Sequence, residues 1–306
     1  MEYINLPEIS GWAALRAVVE KGGVTEAARA LKVGQPAITK RLRALDECYG
    51  LPLTERVGGR LRLTAAGEKV YLLAVQTLDR QLALREDLQS LVGGVKPLRL
   101  EVTFSIGEHL LPDLLLRFAE RHPKFKVTSR LGYSRQIQTY LASGLVDLAL
   151  MESAPDHPDI LVQKWMDDEL WLVCGRTHPL AGTDRIPVEQ LTELDYVLRE
   201  RRSAIRDAMD EALRQIGIEQ LKIAMEVGST DAIVEILARG KHVSFLPRFA
   251  VAEAVAQGKL TRVKVTGFRI MRMLWIARHR AKLNHPVAEA FIKLMRETVP
   301  AGAAGS

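Results

Sequence analysis

Gln35, Thr39, Lys40 and Arg43 recur at spacings that place them on one face of a helix. Each can donate hydrogen bonds to base edges or phosphates in a DNA major groove. Arg56 follows in a short basic segment. With Lys40, Arg41, Arg43, Arg60 and Arg62 it forms a cluster able to neutralise several phosphates. The alternative is a solvated basic face, but helical spacing and charge together favour a nucleic-acid reader.

A second group of residues suits anion chemistry. Phe104-Ser105-Ile106-Gly107, Arg202-Ser203-Ala204 and Gly228-Ser229-Thr230-Asp231 each precede a predicted helix. Hydroxyls and free backbone N–H groups at such places can hold a carboxylate, sulfate or phosphate. Ser and Thr are also ordinary helix caps, so each loop alone is weak evidence.

Catalysis finds little support. Ser134 lies in Gly132-Tyr133-Ser134-Arg135-Gln136, which lacks the second glycine of a hydrolase elbow, and no His-Glu-x-x-His pattern occurs. Asp167-Asp168 are adjacent on a predicted hinge loop, and adjacency alone does not make an acid–base pair. Cys48 and Cys174 are far apart, with no partner at metal-ligand spacing, so neither metal nor cofactor is expected. Cys174, in the run Leu170-Trp171-Leu172-Val173, reads as a small buried hydrophobe of a strand. Four of the seven histidines, His122, His157, His178 and His285, precede proline, which marks turns rather than a catalytic cluster.

The elements that must carry these residues follow from apolar spacing. Val24, Ala27, Ala28 and Leu31 predict one short helix, and Ala37, Ile38, Leu42 and Leu45 a second. Lys32-Val33-Gly34-Gln35 is the connection, where Gly34 is expected to take the backbone angles of a tight turn and Pro36 to sit in the first helical turn. Residues 64–91 lack proline and predict one long helix. Tyr71, Val75, Leu78 and Leu82, continued by Leu84, Leu88 and Leu91, give it an apolar stripe suited to packing between subunits. A glycine-rich stop and hinge falls at 92–97.

Beyond it, strands are predicted at 98–104, 125–131 and 145–151, with helices at 110–121 and 136–143. A second set has strands at 169–174, 196–199 and 243–246 and helices at 204–215 and 232–238. A strand at 271–277 and a helix at 286–296 close the chain, and 301–306 has nothing to bury. This βαβ order implies a parallel sheet. At 306 residues, 47% of them hydrophobic, the chain can fill two or three cores. Its net charge of +6 favours polyanionic partners without proving one. With no leader and no apolar run able to span a bilayer, the cytoplasm is the expected location.

The chain resembles the LysR-type transcriptional regulators. Ala27-Ala28, Leu31, Gln35-Pro36-Ala37, Leu45-Asp46, Leu53, Arg56 and Leu63-Thr64-Ala65-Ala66-Gly67 match the family's pattern in order. Thr54 replaces its usual phenylalanine, Gly34 a common serine, and Val24-Thr25 a common Ser-Phe, leaving Thr25 as the cap of the first helix. FSIGEHLLP at 104–112, with Ala149-Leu150-Met151-Glu152 and His157-Pro158-Asp159, is similar to the subgroup containing regulators of carbon fixation and sulfur assimilation. Arg199-Glu200-Arg201-Arg202-Ser203-Ala204-Ile205-Arg206 keeps the first arginine, the serine and the last arginine of that subgroup's Arg-Glu-Gly-Ser-Gly-Thr-Arg loop but loses its glycines and threonine.

The resemblance implies an α/β effector domain of two periplasmic-binding-protein-like lobes, preceded by an all-α winged helix-turn-helix domain and a long linker helix. The limits are 1–66 for the DNA-binding domain, 67–91 for the dimerisation helix, 92–97 for the hinge, 98–166 and 270–300 for lobe I, and 167–269 for lobe II. Thr25, Gln35, Pro36, Thr39, Lys40, Arg43 and Arg56 are the expected DNA-binding residues. Ser105, Ile106, Gly107, Glu152, Arg202, Ser203, Ser229 and Thr230 are those expected for a small anionic effector, an inorganic sulfur or phosphorus oxyanion or a short carboxylate. Implied partners are promoter DNA, a second copy through the linker helix, a tetramer of two such dimers, and RNA polymerase; no membrane is implied. The other reading is a cytoplasmic small-anion-binding protein or an enzyme on the same lobes.

Overall fold

The computed structural model describes residues 6–58, 60–90 and 96–298. The chain divides into two compact units, residues 1–94 and 95–306. Among the described residues no helix is long and apolar enough to cross a membrane.

The first unit contains α1 (Ile9–Lys21), α2 (Val24–Ala30), α3 (Gln35–Tyr49), the strands β1 (Thr54–Val57) and β2 (Arg60–Leu63), and α4 (Ala65–Ser90). Helix α1, left unassigned by the sequence reading, supplies Ala14, Leu15 and Val18, which pack with Ala27, Ala28, Ile38 and Leu45. The turn before α3 departs from expectation. Gly34 has an ordinary extended conformation, with φ −72°, and Lys32 takes the left-handed one at φ +54°. Pro36 sits in the first turn of α3 as expected.

The family's Leu-Asp pair has a physical reading here. Leu45 is in the core, while the Asp46 carboxylate accepts the Leu53 N–H at 2.9 Å and fixes where the wing begins. Leu53 is itself buried, so it anchors the wing although Thr54 follows it. Strands β1 and β2 pair antiparallel, Thr54 opposite Leu63, giving the helical head a small hairpin. The Thr64 hydroxyl donates to the Pro52 carbonyl at 2.8 Å and accepts the Gly67 N–H at 3.0 Å, which caps α4.

Helix α4 is about 39 Å long at 1.5 Å per residue. Val70 and Ala74 bury against the head, and Asp79 pairs with Arg16 of α1 at 2.6 Å. Of the predicted stripe, Tyr71, Val75 and Leu78 are half-buried, whereas Leu82, Leu84 and Leu88 are exposed, as are Leu72 and Leu73. Leu91, most of the predicted hinge and the terminal tail lie outside the described residues.

The second unit runs β3 (Leu98–Thr103), α5 (Phe104–His109), α6 (Leu111–Arg121), β4 (Val127–Gly132), α7 (Ser134–Ala142), β5 (Leu148–Met151) and β6 (Ile160–Gly175). It continues through β7 (Arg185–Ile186), β8 (Asp195–Arg199), α8 (Ala204–Gln215), β9 (Lys222–Val227), α9 (Thr230–Arg239), β10 (Val243–Pro247), α10 (Arg248–Ala256) and β11 (Leu260–Val265) to β12 (Ile270–His279) and α11 (Pro286–Thr298). The main path of the sheet is β4-β3-β5-β12-β6-β10-β8-β9. Parallel β3, β4 and β5 form one end, and parallel β8, β9 and β10 the other.

Core residues gather on both sides of the central strands. Leu98, Val102, Phe118 and Phe291 belong to the side called lobe I, and Leu172, Tyr196, Ile205 and Phe245 to lobe II. The predicted 166/167 lobe limit falls inside β6, a single strand of 16 residues whose first part pairs with β12 and whose last part pairs with β10 and β11. Asp167 and Asp168 are therefore strand residues, not a hinge loop. Successive side chains of a strand point to opposite faces, so Asp167 is exposed and Asp168 buried.

Cys174 is fully buried in lobe II, where burial pushes its thiol up to about 11. His157, His178 and His285 each accept a backbone N–H two or three residues onward, a turn-capping use of the ring.

Candidate DNA-reading head and interlobe cleft

In the first unit, α3 presents Gln35, Pro36, Thr39, Lys40 and Arg43 to solvent, while Ile38 and Leu45 point inward. Thr25 and Arg56 are exposed as well. Thr25 is not a helix cap. Helix α2 begins one residue earlier, with Gly23 at its N-cap, and the Thr25 hydroxyl instead accepts the Gln35 side-chain N–H at 3.1 Å. The pair holds Gln35 at the start of α3. Thr39 donates to the Gln35 carbonyl at 3.2 Å, one turn back along the helix. Across β1 and β2, Arg56 and Arg62 add exposed cations to the wing.

In the second unit, the C-terminal ends of β3, β5 and β8 converge on a narrow space between the lobes. Thr103 ends β3, and Ser105 lies in α5 with 1% of its surface exposed. Both hydroxyls are buried without a hydrogen-bond partner among the described residues. Glu152 follows β5 and contacts Arg272 of β12 at 2.8 Å; Arg272 also donates to Asp168 at 2.7 Å. Of this ion cluster, Glu152 borders the space.

Arg199 ends β8 and is 3% exposed. Its guanidinium donates to both carboxylate oxygens of Glu200, at 2.8 and 3.0 Å, and to the Thr230 hydroxyl at 2.9 Å. Burial opposes ionisation of Glu200, but hydrogen bonds and charge from Arg199 hold its carboxyl below the usual range. Tyr133, from lobe I, donates to Glu200 of lobe II at 3.3 Å, a hydrogen bond that joins the lobes across the cleft. Arg202 and Ser203 complete the rim. The space amounts to about 10 Å³, room for about one water molecule.

The expected effector residues separate in this geometry. Ser105, Glu152, Arg202 and Ser203 border the space. Ile106 does not, because its side chain is wholly buried in the lobe I core. Gly107 is a packing residue inside a short helix: a Cβ there would meet Leu131 at 2.1 Å and Val102 at 2.9 Å. The hydroxyls of Ser203 and Ser229 accept the Ile205 and Ala232 N–H groups, capping α8 and α9, and Thr230 is buried against Arg199. Thr103, Tyr133, Arg199 and Glu200 were not among the expected site residues. Arg199-Glu200 was visible as part of a motif, whereas Tyr133 is brought to it only by the tertiary fold.

A helix-turn-helix head with a hairpin wing, a long helix and a two-lobed unit with a polar cleft define a ligand-responsive DNA-binding protein. Residues 9–68 match the model of the lysR family of bacterial regulatory helix-turn-helix proteins, and residues 93–300 match the LysR substrate binding domain. The chain belongs to the LysR family of transcriptional regulators. A "Probable RuBisCO transcriptional regulator" of Nostoc sp. is 30% identical over 291 residues, covering 90% of this chain and 84% of that protein. The full-length regulator CbnR, solved with its target DNA, superposes with a TM-score of 0.71 at 23% identity, covering 95% of this chain and 99% of that one. The Synechocystis CcmR regulatory domain in complex with 2-PG superposes at 0.61 with 25% identity, covering 67% of this chain and 98% of that one.

Proposed function

We propose that this cytoplasmic, non-enzymatic regulator reads promoter DNA with α3 and the wing, and takes a small anion between its lobes. On the DNA side the supporting observation is the exposed row Gln35, Thr39, Lys40 and Arg43 on a helix whose other face is core. Lys40 serves as a phosphate contact and Gln35, held by Thr25, as a base contact. Replacing Lys40 by alanine is expected to weaken binding to all sequences alike and to flatten the dependence of log affinity on log salt by about 0.9 units. Gln35→Ala is expected to blur base preference with little change in that slope. Anisotropy titrations at several salt concentrations measure both, and an unchanged slope for Lys40→Ala would overturn this docking.

The observation that carries the effector reading is the pair of unpartnered, buried hydroxyls on Thr103 and Ser105, beside a cleft lined by Arg199 and Arg202. Buried donors lacking a partner carry a free-energy cost that a bound oxyanion removes. The 2-PG complex of the CcmR domain is consistent with this class of ligand. Entry requires the lobes to part, since the present space excludes any oxyanion, and the ligand then competes with Glu200 for Arg199. The altered closure is passed along the chain to the reader heads, which work as a dimer through α4 and as a tetramer of two dimers. The exposed Leu72, Leu82, Leu84 and Leu88 support the dimer, because a monomer rarely leaves so many leucines of one helix uncovered. RNA polymerase is the remaining partner of this reading.

A thermal-shift screen of the full chain against sulfite, sulfate, phosphate, thiosulfate, 2-PG and short carboxylates tests the site. A ligand at about 100 times its Kd adds about 2.7 kcal/mol of stability. Ser105→Ala is expected to lose that shift. Ser229→Ala should keep it while lowering the baseline by about 1 kcal/mol, as loss of a cap does. A full shift retained in Ser105→Ala would place the anion elsewhere.

A further inference from the structure

Glu108 and His109 close α5 in lobe I, and Asp231 lies in the first turn of α9 in lobe II. One ligand atom from each, a carboxylate oxygen or an imidazole nitrogen, falls within 4.8 Å of the others. His109 Nε2 stands 3.7 Å from the Asp231 carboxylate. That is too long for a hydrogen bond and close to the separation of about 3.4 Å between two ligands on one tetrahedral ion with bonds near 2.1 Å. Among the described residues, His109 Nε2 and Glu108 Oε2 are both buried without a hydrogen-bond partner.

The surroundings favour a cation. Glu152 and Glu200 act electrostatically on Glu108 along with Asp231, and Arg199, the positive charge that acts against them, is already bound by the Glu200 carboxylate. We propose that Glu108, His109 and Asp231 bind one divalent transition-metal ion, of which Zn²⁺ is the representative, and that this ion bridges the two lobes. An imidazole with two carboxylates suits Zn²⁺ and its neighbours better than Mg²⁺, which prefers all-oxygen octahedral sites. Three protein ligands leave one position for water. Because the ligands come from both lobes, binding resists their separation. No sequence spacing announces the site, since residues 109 and 231 meet only in the fold.

The test uses the full chain stripped of metal by chelator dialysis, titrated calorimetrically with ZnCl₂ and MgCl₂ in buffer free of oxyanions. The expected result is one Zn²⁺ per chain, weak or absent Mg²⁺ binding, and a rise in melting temperature with Zn²⁺. His109→Gln and Asp231→Asn should each weaken Zn²⁺ by at least tenfold, with the metal-free melting temperature unchanged. His157→Gln, which alters a half-buried histidine 4.0 Å from the Asp159 carboxylate, should bind as the unmodified chain does. Undiminished Zn²⁺ uptake in both cleft variants, or no saturable uptake by the unmodified chain, overturns the proposal. Neither result bears on the anion reading, whose assay contains no metal.

Discussion

Gly67→Ala is expected to abolish DNA binding while leaving residues 95–298 folded. Gly67 stands in the first turn of α4, and a Cβ at that position would lie 1.8 Å from the Leu53 carbonyl oxygen and 2.8 Å from its carbon. Both are main-chain atoms, which no rotamer change can move. Accommodating a methyl group means lifting the start of α4 off Leu53, which breaks the Thr64 N–H bond to that carbonyl at 3.0 Å and the Thr64 hydroxyl bond to Pro52. Overpacking of this kind costs about 3 kcal/mol or more, a large share of what a small domain has. The wing and α3 share the core containing Leu45 and Leu53, so the reading surface is lost with it. Hydrogen exchange should show α3, β1 and β2 opening while β3 and β8 stay protected. Wild-type operator affinity in the Gly67→Ala protein would refute the argument.

The second large effect is expected at Asp147, which has no exposed surface. Arg99 reaches it with two side-chain N–H groups, each at 2.9 Å, and with its backbone N–H at 3.1 Å; Lys96 donates at 3.0 Å and Lys282 lies at 3.5 Å. Residues from before β3, from β3 itself and from the segment leading to α11 thus meet on one carboxylate. Burial opposes its ionisation, but the hydrogen bonds from Arg99 and the charges of Arg99, Lys96 and Lys282 outweigh that and hold the carboxyl well below the usual carboxylate range.

A folded-state pKa depressed below the unfolded value gives stability that is fully present above about pH 4 and lost as the pH falls further toward the folded-state value. Asp147→Asn should cost about 3 kcal/mol, the low end for breaking a buried pair, because Lys96 and Lys282 remain about a fifth exposed. The variant should also lose less stability on acidification than the unmodified chain. Urea denaturation at pH 7 and below pH 4 measures both, and equal acid sensitivity of the two proteins would remove Asp147 as the cause.

The sequence was most readable where its signals are local. Helix α8 was expected at 204–215 and spans Ala204–Gln215, and α3 follows the apolar spacing of Ala37, Ile38, Leu42 and Leu45. Elements escaped where no local signal exists. Helix α5 starts directly after Thr103 with no breaker between, so Phe104 read as the end of the strand and the residues up to 109 as a loop. Strand β9 is the exception: Ile223, Met225 and Val227 alternate with Lys222, Ala224 and Glu226, a short signal on an edge strand exposed along nearly all of its length. Helix α10 begins at the residue after β10 ends. The cleft was half legible for the same reason. Ser105 and Arg202 sit in recognisable segments, whereas Thr103 reads as an ordinary strand residue, and the bond between Tyr133 and Glu200 joins positions 67 apart.

The paired strands β6 and β12 also bear on how the protein forms during synthesis. Lobe I contains β3 to β5 from the start of the second unit and β12 with α11 from its end, whereas the core of lobe II is drawn from the residues between. A ribosome releases the chain from its N-terminus, and domains generally fold as their residues emerge. Lobe II can therefore assemble all of its core but Ile270 before β12 appears, while β5 waits with one edge open until its partner more than a hundred residues later is made. Pairing over such a separation is slow, so the nascent chain passes through a stage in which the last strand of lobe I is still to arrive.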